Sequence, residues 1–159
     1  MLMILACRLW GGDRKIVNLG IIVKNTDFND MNNEAIKRYQ DLQVYQKAFE
    51  AAMQIFELSK QFPLEEKEAL IEPIRRSSRC VCTNLAKAWH KRRFHNGFVA
   101  KLNDSQVEAA ETQTWLEFAV KCNYINVEAG RELYRTYNCI LEMLINLIQH
   151  SEQWTVPKS

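Results

Sequence analysis

Glycine and proline are scarce, with five of one and three of the other in 159 residues. So few turn-formers leave room for few turns, which favours long helices over many short strands. No apolar run approaches the roughly 18 residues that cross a bilayer, so no membrane span is expected. Glycine-rich phosphate loops, a dinucleotide-binding pattern and internal repeats are all missing. The five cysteines (Cys7, Cys80, Cys82, Cys122 and Cys139) are odd in number and scattered. That excludes the even-numbered framework of a small disulfide-stapled secreted chain and points to free thiols in a reducing cytoplasm.

What is present suits one domain with a core of its own. Apolar residues make up 47% of the chain and charged residues 25%, an ordinary globular balance. The net charge of +2 is only mildly basic. A nucleic-acid partner therefore has to be argued from local clustering, not from the total. At the N-terminus, MLMILAC lacks the basic region and the roughly 7–15-residue apolar run of a secretory signal. Met31 stands just ahead of the first regular pattern. Residues 1–37 are expected to be an extension, either a poorly ordered tail or an over-extended reading frame; residues 38–152 form the domain and residues 153–159 a tail.

Four stretches carry helical period. In the first, Tyr45, Phe49, Ala52, Phe56, Ser59 and Phe62 recur at steps of three and four, with Asp41 as the expected N-cap. Phe62-Pro63 ends it, because a residue before proline is driven out of the α region. The second runs from about Leu64 to Phe94, with a kink or a short separate turn expected around Pro73. Ile74, Val81, Leu85, Ala88 and Trp89 make its apolar face. The third has the cleanest repeat: Phe98, Leu102, Ser105, Ala109, Thr112, Leu116 and Ala119. Small residues at its middle allow close helix approach. Asn123 to Asn126 mark a break, and the fourth carries Val127, Leu133, Tyr134, Tyr137, Leu141, Leu144 and Ile148. The expected fold is all-α, an antiparallel up-down-up-down four-helix bundle.

The charges are sorted by helix. From Arg75 to Lys101 there are eight lysines and arginines and no carboxylate, whereas Asp104, Glu108, Glu111 and Glu117 follow with no cation among them. At about 100° per residue, Arg75, Arg79, Arg76, Lys87 and Lys91 fall at about 0°, 40°, 100°, 120° and 160°, and Arg93 joins Arg75. The apolar face lies at about 220–280°, and only Arg92 shares it, at the helix end. Arg75, Arg76, Arg79, Lys87, Lys91, Arg92 and Arg93 are thus the candidate binding residues. Two readings stay open. A phosphate backbone tolerates any arrangement of cations and rewards each contact with counterion release. Alternatively the basic face meets acidic helices, within the bundle or on neighbouring subunits, where it sets register and orientation more than affinity.

Other chemistry finds little support. Cys80 and Cys82 diverge by about 200° on a helix, so they cannot share one metal ion, and His90 and His95 diverge too. The Glu-x-x-His pairs of a di-iron bundle are missing, and no nucleophile signature is present. Neither catalysis nor a cofactor or metal is expected. Trp89, at the edge of the apolar arc, reads as a core aromatic.

DLQVYQKA (41–48), QFP (61–63), IRRSSRCVCTNLAKAWHKRRF (74–94), FVAKLNDSQVEAAETQTWLEFAVKCNYI (98–125) and YNCILEMLINLI (137–148) together resemble the four-helix-bundle proteins encoded within 23S rRNA intervening sequences. That family is related to the accessory protein of diversity-generating retroelements. The resemblance implies a non-enzymatic bundle assembled as a homopentamer. In the retroelement branch it further implies binding of nucleic acid through basic surface and association with a reverse transcriptase; with the charge run from Arg75 to Lys101, the expected ligand is structured RNA or RNA/DNA hybrid. The family's arginine-rich segment falls on Arg75, Arg76 and Arg79, and its Asn-Leu/Ile-Ala-Glu segment on Asn84, Leu85 and Ala86. Lys87 stands where many relatives have glutamate, and Ala88-Trp89 where many have glycine. These departures make the arc more basic and remove any role that needs the glutamate. The combined expectation is an oligomeric cytoplasmic bundle that binds nucleic acid through its second helix, with a protein-interaction scaffold as the alternative.

Overall fold

A computed structural model describes residues 36–156. The extension expected over residues 1–37 therefore lies outside the described residues, apart from Ile36 and Lys37. Four long helices dominate: α1 (Gln43–Leu58), α2 (Glu72–His90), α3 (His95–Lys121) and α4 (Val127–Gln149). One further turn, α5 (Ser151–Trp154), follows, and no strand occurs among the described residues.

Asp41 does not cap α1. It closes a 3-10 turn (Tyr39–Asp41), and its carboxylate accepts from the backbone N–H groups of Lys37 and Arg38 at 3.1 and 2.9 Å. Leu42 takes the N-cap position, its carbonyl accepting the first α1 bond from Gln46. At the other end Phe62 is extended ahead of Pro63, as the proline requires. The expected separate turn before α2 is present in two pieces, a 3-10 turn (Leu64–Glu66) and a π turn (Lys67–Ile71). Pro73 falls in the first turn of α2. The widened π turn ahead of it makes room for the ring and for the hydrogen bond that proline cannot donate.

The seven-residue seam predicted for α3 is buried at every position. Leu102 and Leu116 each contribute about 2 kcal/mol by leaving water. The small residues between them let α2 come close: Ser105 Oγ donates to the Val81 carbonyl at 2.9 Å, and Thr112 Oγ1 lies 2.9 Å from Ser77 Oγ. Partners rise along α3 as they fall along α2, so the two run antiparallel. The same inverse pairing joins α1 to α2 (Ser59 with Arg75, Tyr39 with His90). Between α3 and α4, Gln113 meets Asn138 while Val120 packs on Gly130. At the break after α3, Asn123 adopts a left-handed φ of 60°, which asparagine tolerates at a helix end. Asn126 then caps α4, its Oδ1 accepting from Ala129 N at 2.7 Å.

Two stripes differ from expectation. In α1 the buried face is Val44, Ala48, Ala51, Ala52 and Ile55, continued by Ser59 and Phe62. Phe49 is 51% exposed, and Tyr45 and Phe56 are half-buried beside it. The aromatic row is the flank of the core stripe, not the stripe itself. In α4, Leu133, Tyr137 and Leu144 are buried as expected, but Gly130, Ile140 and Leu147 complete the face. Val127 is exposed there, and Tyr134, Leu141 and Ile148 are half-buried. Trp154 packs against the core, and Val156 N donates to the Arg92 carbonyl at 3.2 Å, tying the segment after α5 to the α2–α3 turn.

Candidate nucleic-acid interface

The outer face of α2 lies opposite a buried side that includes Ile74, Ser77, Val81, Leu85, Ala88 and Trp89. The seven predicted cations are not equivalent on it. Arg75 and Arg79 lean toward α1, where their guanidinium carbons stand 4.9 and 5.5 Å from the centre of the Phe56 ring. Arg75 is also anchored, its Nε donating to Ser59 Oγ at 2.7 Å. Lys60, from the 3-10 turn after α1, reaches the same ring at 4.6 Å while paired with Glu57. Three cations thus gather about one aromatic ring.

Arg76 and Lys87 lean toward α3. Burial, with Glu111 and Asp104 close by, pushes the Glu108 carboxyl above the usual range, and Arg76 and Lys87 oppose that rise. Burial likewise raises the Cys80 thiol, with Glu108 adding to the shift and Lys87 and Arg76 opposing it. Neither cation forms an ion pair within 4 Å with a carboxylate among the described residues. The basic and acidic faces sense each other across the α2–α3 groove without closing on each other.

Lys91, Arg92 and Arg93 lie beyond α2, in the turn to α3. Lys91 and Arg93 are exposed. Arg92 is different: its guanidinium sits 3.3 Å from the Trp89 ring centre, and its Nε donates to the Trp89 carbonyl at 3.0 Å. Burial holds its pKa below the usual arginine value. It stacks on Trp89, which is buried as expected of a core aromatic.

Beside this face stand three aromatic residues, two of them (Tyr45 and Phe49) expected in the core stripe of α1 and one (Tyr39) ahead of it. Tyr39 contacts both His90 and Tyr45 edge-on, with ring centres 6.2 and 5.0 Å apart. Tyr45 in turn stacks on Phe49 at 6.1 Å and 22°. The signal that could have found them was the competing apolar set Val44, Ala48, Ala51 and Ile55, which has the same helical spacing but fewer large side chains.

Cys80 is half-exposed and Cys82 buried, on different sides of α2, and no three metal-ligating side chains converge among the described residues. No described helix is long and apolar enough to cross a membrane.

Fold and site together define an all-α bundle with cations on one helix and carboxylates on the next. The chain matches the family described as 23S rRNA-intervening sequence protein over residues 40–146, and it belongs to that family, as its motifs led us to expect. Among solved structures it is similar to a protein of unknown function of the S23 ribosomal protein family from Bacteroides thetaiotaomicron. The two are 31% identical with a TM-score of 0.60, over 66% of this chain and 97% of that one. No curated protein matches the chain. Neither description names a reaction.

Proposed function

We propose that this protein is a non-enzymatic, oligomeric cytoplasmic bundle that binds RNA through the cations of α2 and the turn after it. One observation carries the reading. Arg76, Arg79, Lys87, Lys91 and Arg93 are exposed, and none is paired with a carboxylate among the described residues. Holding like charges together unpaired costs stability, and a polyanion that sheds its counterions relieves that cost. Binding is then tolerant of sequence and falls steeply with salt. Reversing Arg79, Lys87 and Lys91 to glutamate is expected to abolish retention of RNA at low salt; unchanged retention overturns the reading.

The crowded carboxylates of Asp104, Glu108 and Glu111 support a second reading, in which α2 of one copy meets α3 of another. Under it the same triple reversal lowers the mass seen by light scattering, and the wild type ignores RNA. Mass measured with and without RNA separates the two.

A further inference from the structure

We infer that the α1–α2 edge takes unpaired nucleic acid, with a base stacking on Phe49, which Tyr45 backs, and the phosphates running to Arg79, Arg75 and Lys60. This rests on the RNA-binding reading above and names the kind of RNA. The rings and the cations belong to one strip: Tyr45, Phe49 and Phe56 stand at i, i+4 and i+11 on α1, one helix face over a span of roughly 16 Å at 1.5 Å per residue. Phe49 is half open to water, and Tyr45, stacked on it at 22° and held in turn by Tyr39, backs it as a fixed aromatic platform. At Phe56 the strip becomes cationic, and among the described residues the three positive groups there have a single carboxylate partner, Glu57.

A partner for this strip needs flat apolar faces and regularly placed negative charge together. Single-stranded nucleic acid offers both, because each unstacked base exposes a π face beside its phosphate. A duplex offers only the phosphates, its bases being stacked on one another. A second copy of the chain is the rival occupant, and the mass of the assembly in the test below tells it from RNA.

The test uses the whole chain with two fluorescent probes, a short oligouridine and a duplex RNA of equal length, read by polarisation at low salt. The oligouridine is expected to bind more tightly than the duplex. Phe49→Leu keeps apolar bulk at a half-exposed position but removes the π face, and should weaken oligouridine binding by roughly fivefold or more. Phe49→Tyr should restore it. The inference is overturned by Phe49→Leu binding within twofold of the wild type, or by a duplex held as tightly as the single strand. It is overturned equally if Phe49→Leu reduces the mass of the assembly while leaving RNA binding unchanged, which makes the strip a subunit contact. If the wild type retains neither probe, the RNA-binding reading falls and this inference with it. Duplex binding that is lost on the Arg79, Lys87 and Lys91 reversal but indifferent to Phe49 defeats the inference alone.

Discussion

Tyr137 is fully buried at the middle of α4, yet its hydroxyl finds no hydrogen-bond partner among the described residues. Burial pushes its phenol upward, and the neighbouring Thr112 hydroxyl, already held by Ser77 and the Glu108 carbonyl, offsets little of that. An unsatisfied buried hydroxyl costs about 1–3 kcal/mol, and phenylalanine fills the same space without it. Tyr137→Phe should therefore raise the urea midpoint, by about 1 kcal/mol of stability; a fall of that size requires a partner for the hydroxyl. Cys82 shows the same force on an acid. Burial raises its thiol from an ordinary 9.0 to about 12. Below pH 9 the thiol is protonated in both folded and unfolded chains and stability is unaffected. Between about pH 9 and 12 the unfolded chain loses that proton and the native one keeps it, so stability falls as pH rises, by at most about 1.4 kcal/mol per unit. Denaturant midpoints at pH 8 and pH 10 should show a drop in the wild type that is smaller in Cys82→Ala.

The helices differ in how plainly their packing could be read. α3 was legible throughout because its neighbours on both sides demand one narrow seam, and Ser105, Ala109 and Thr112 are the small residues such an approach requires. α1 was misread by one position because its true face rests on Ala48 and Ala51, which carry little hydrophobic signal, while Tyr45, Phe49 and Phe56 carry much. Large aromatics at a helical spacing mark an apolar surface, but not whether it is covered. The π turn before α2 left no sequence mark beyond Pro73, since its cause is an accommodation in the chain geometry. Nor did spacing reveal that Arg92 lies on Trp89, a contact that depends on how the turn folds back. The α3–α4 contact hides another such demand at Gly130. A Cβ there would overlap Val120 Cγ2, and a β-branched side chain has no easy rotamer to escape into. Alanine ordinarily improves a helix over glycine by up to about 1 kcal/mol. Here the overlap should win, and Gly130→Ala should destabilise by about 1 kcal/mol net. Adding Val120→Ala should recover most of the loss, so that thermal melts of the two single variants and the double give a coupling of about 1 kcal/mol.

At the scale of the whole molecule, charge is divided between two helices that share one groove, and the net charge of +2 conceals it. The seven cations named from the sequence occupy four surroundings, and a salt titration can tell these apart. Each phosphate neutralised on a single strand contributes about 0.7 to the slope of log affinity against log salt. Arg79 is exposed, with no carboxylate beside it among the described residues, so Arg79→Gln should make the slope shallower by about 0.7 for every probe sequence. Lys91→Gln should do the same from the α2–α3 turn. Arg92 is spoken for by the Trp89 ring and carbonyl, and its backbone oxygen holds Val156. Arg92→Gln should leave the slope as it is and lower the melting temperature, because it uncovers the Trp89 ring. Equal slope changes for all three variants place Arg92 on the phosphates after all. No change for any of them moves the contact to the Arg76–Lys87 side, where Glu108 stands opposite, and favours a neighbouring subunit over RNA as the partner of α2.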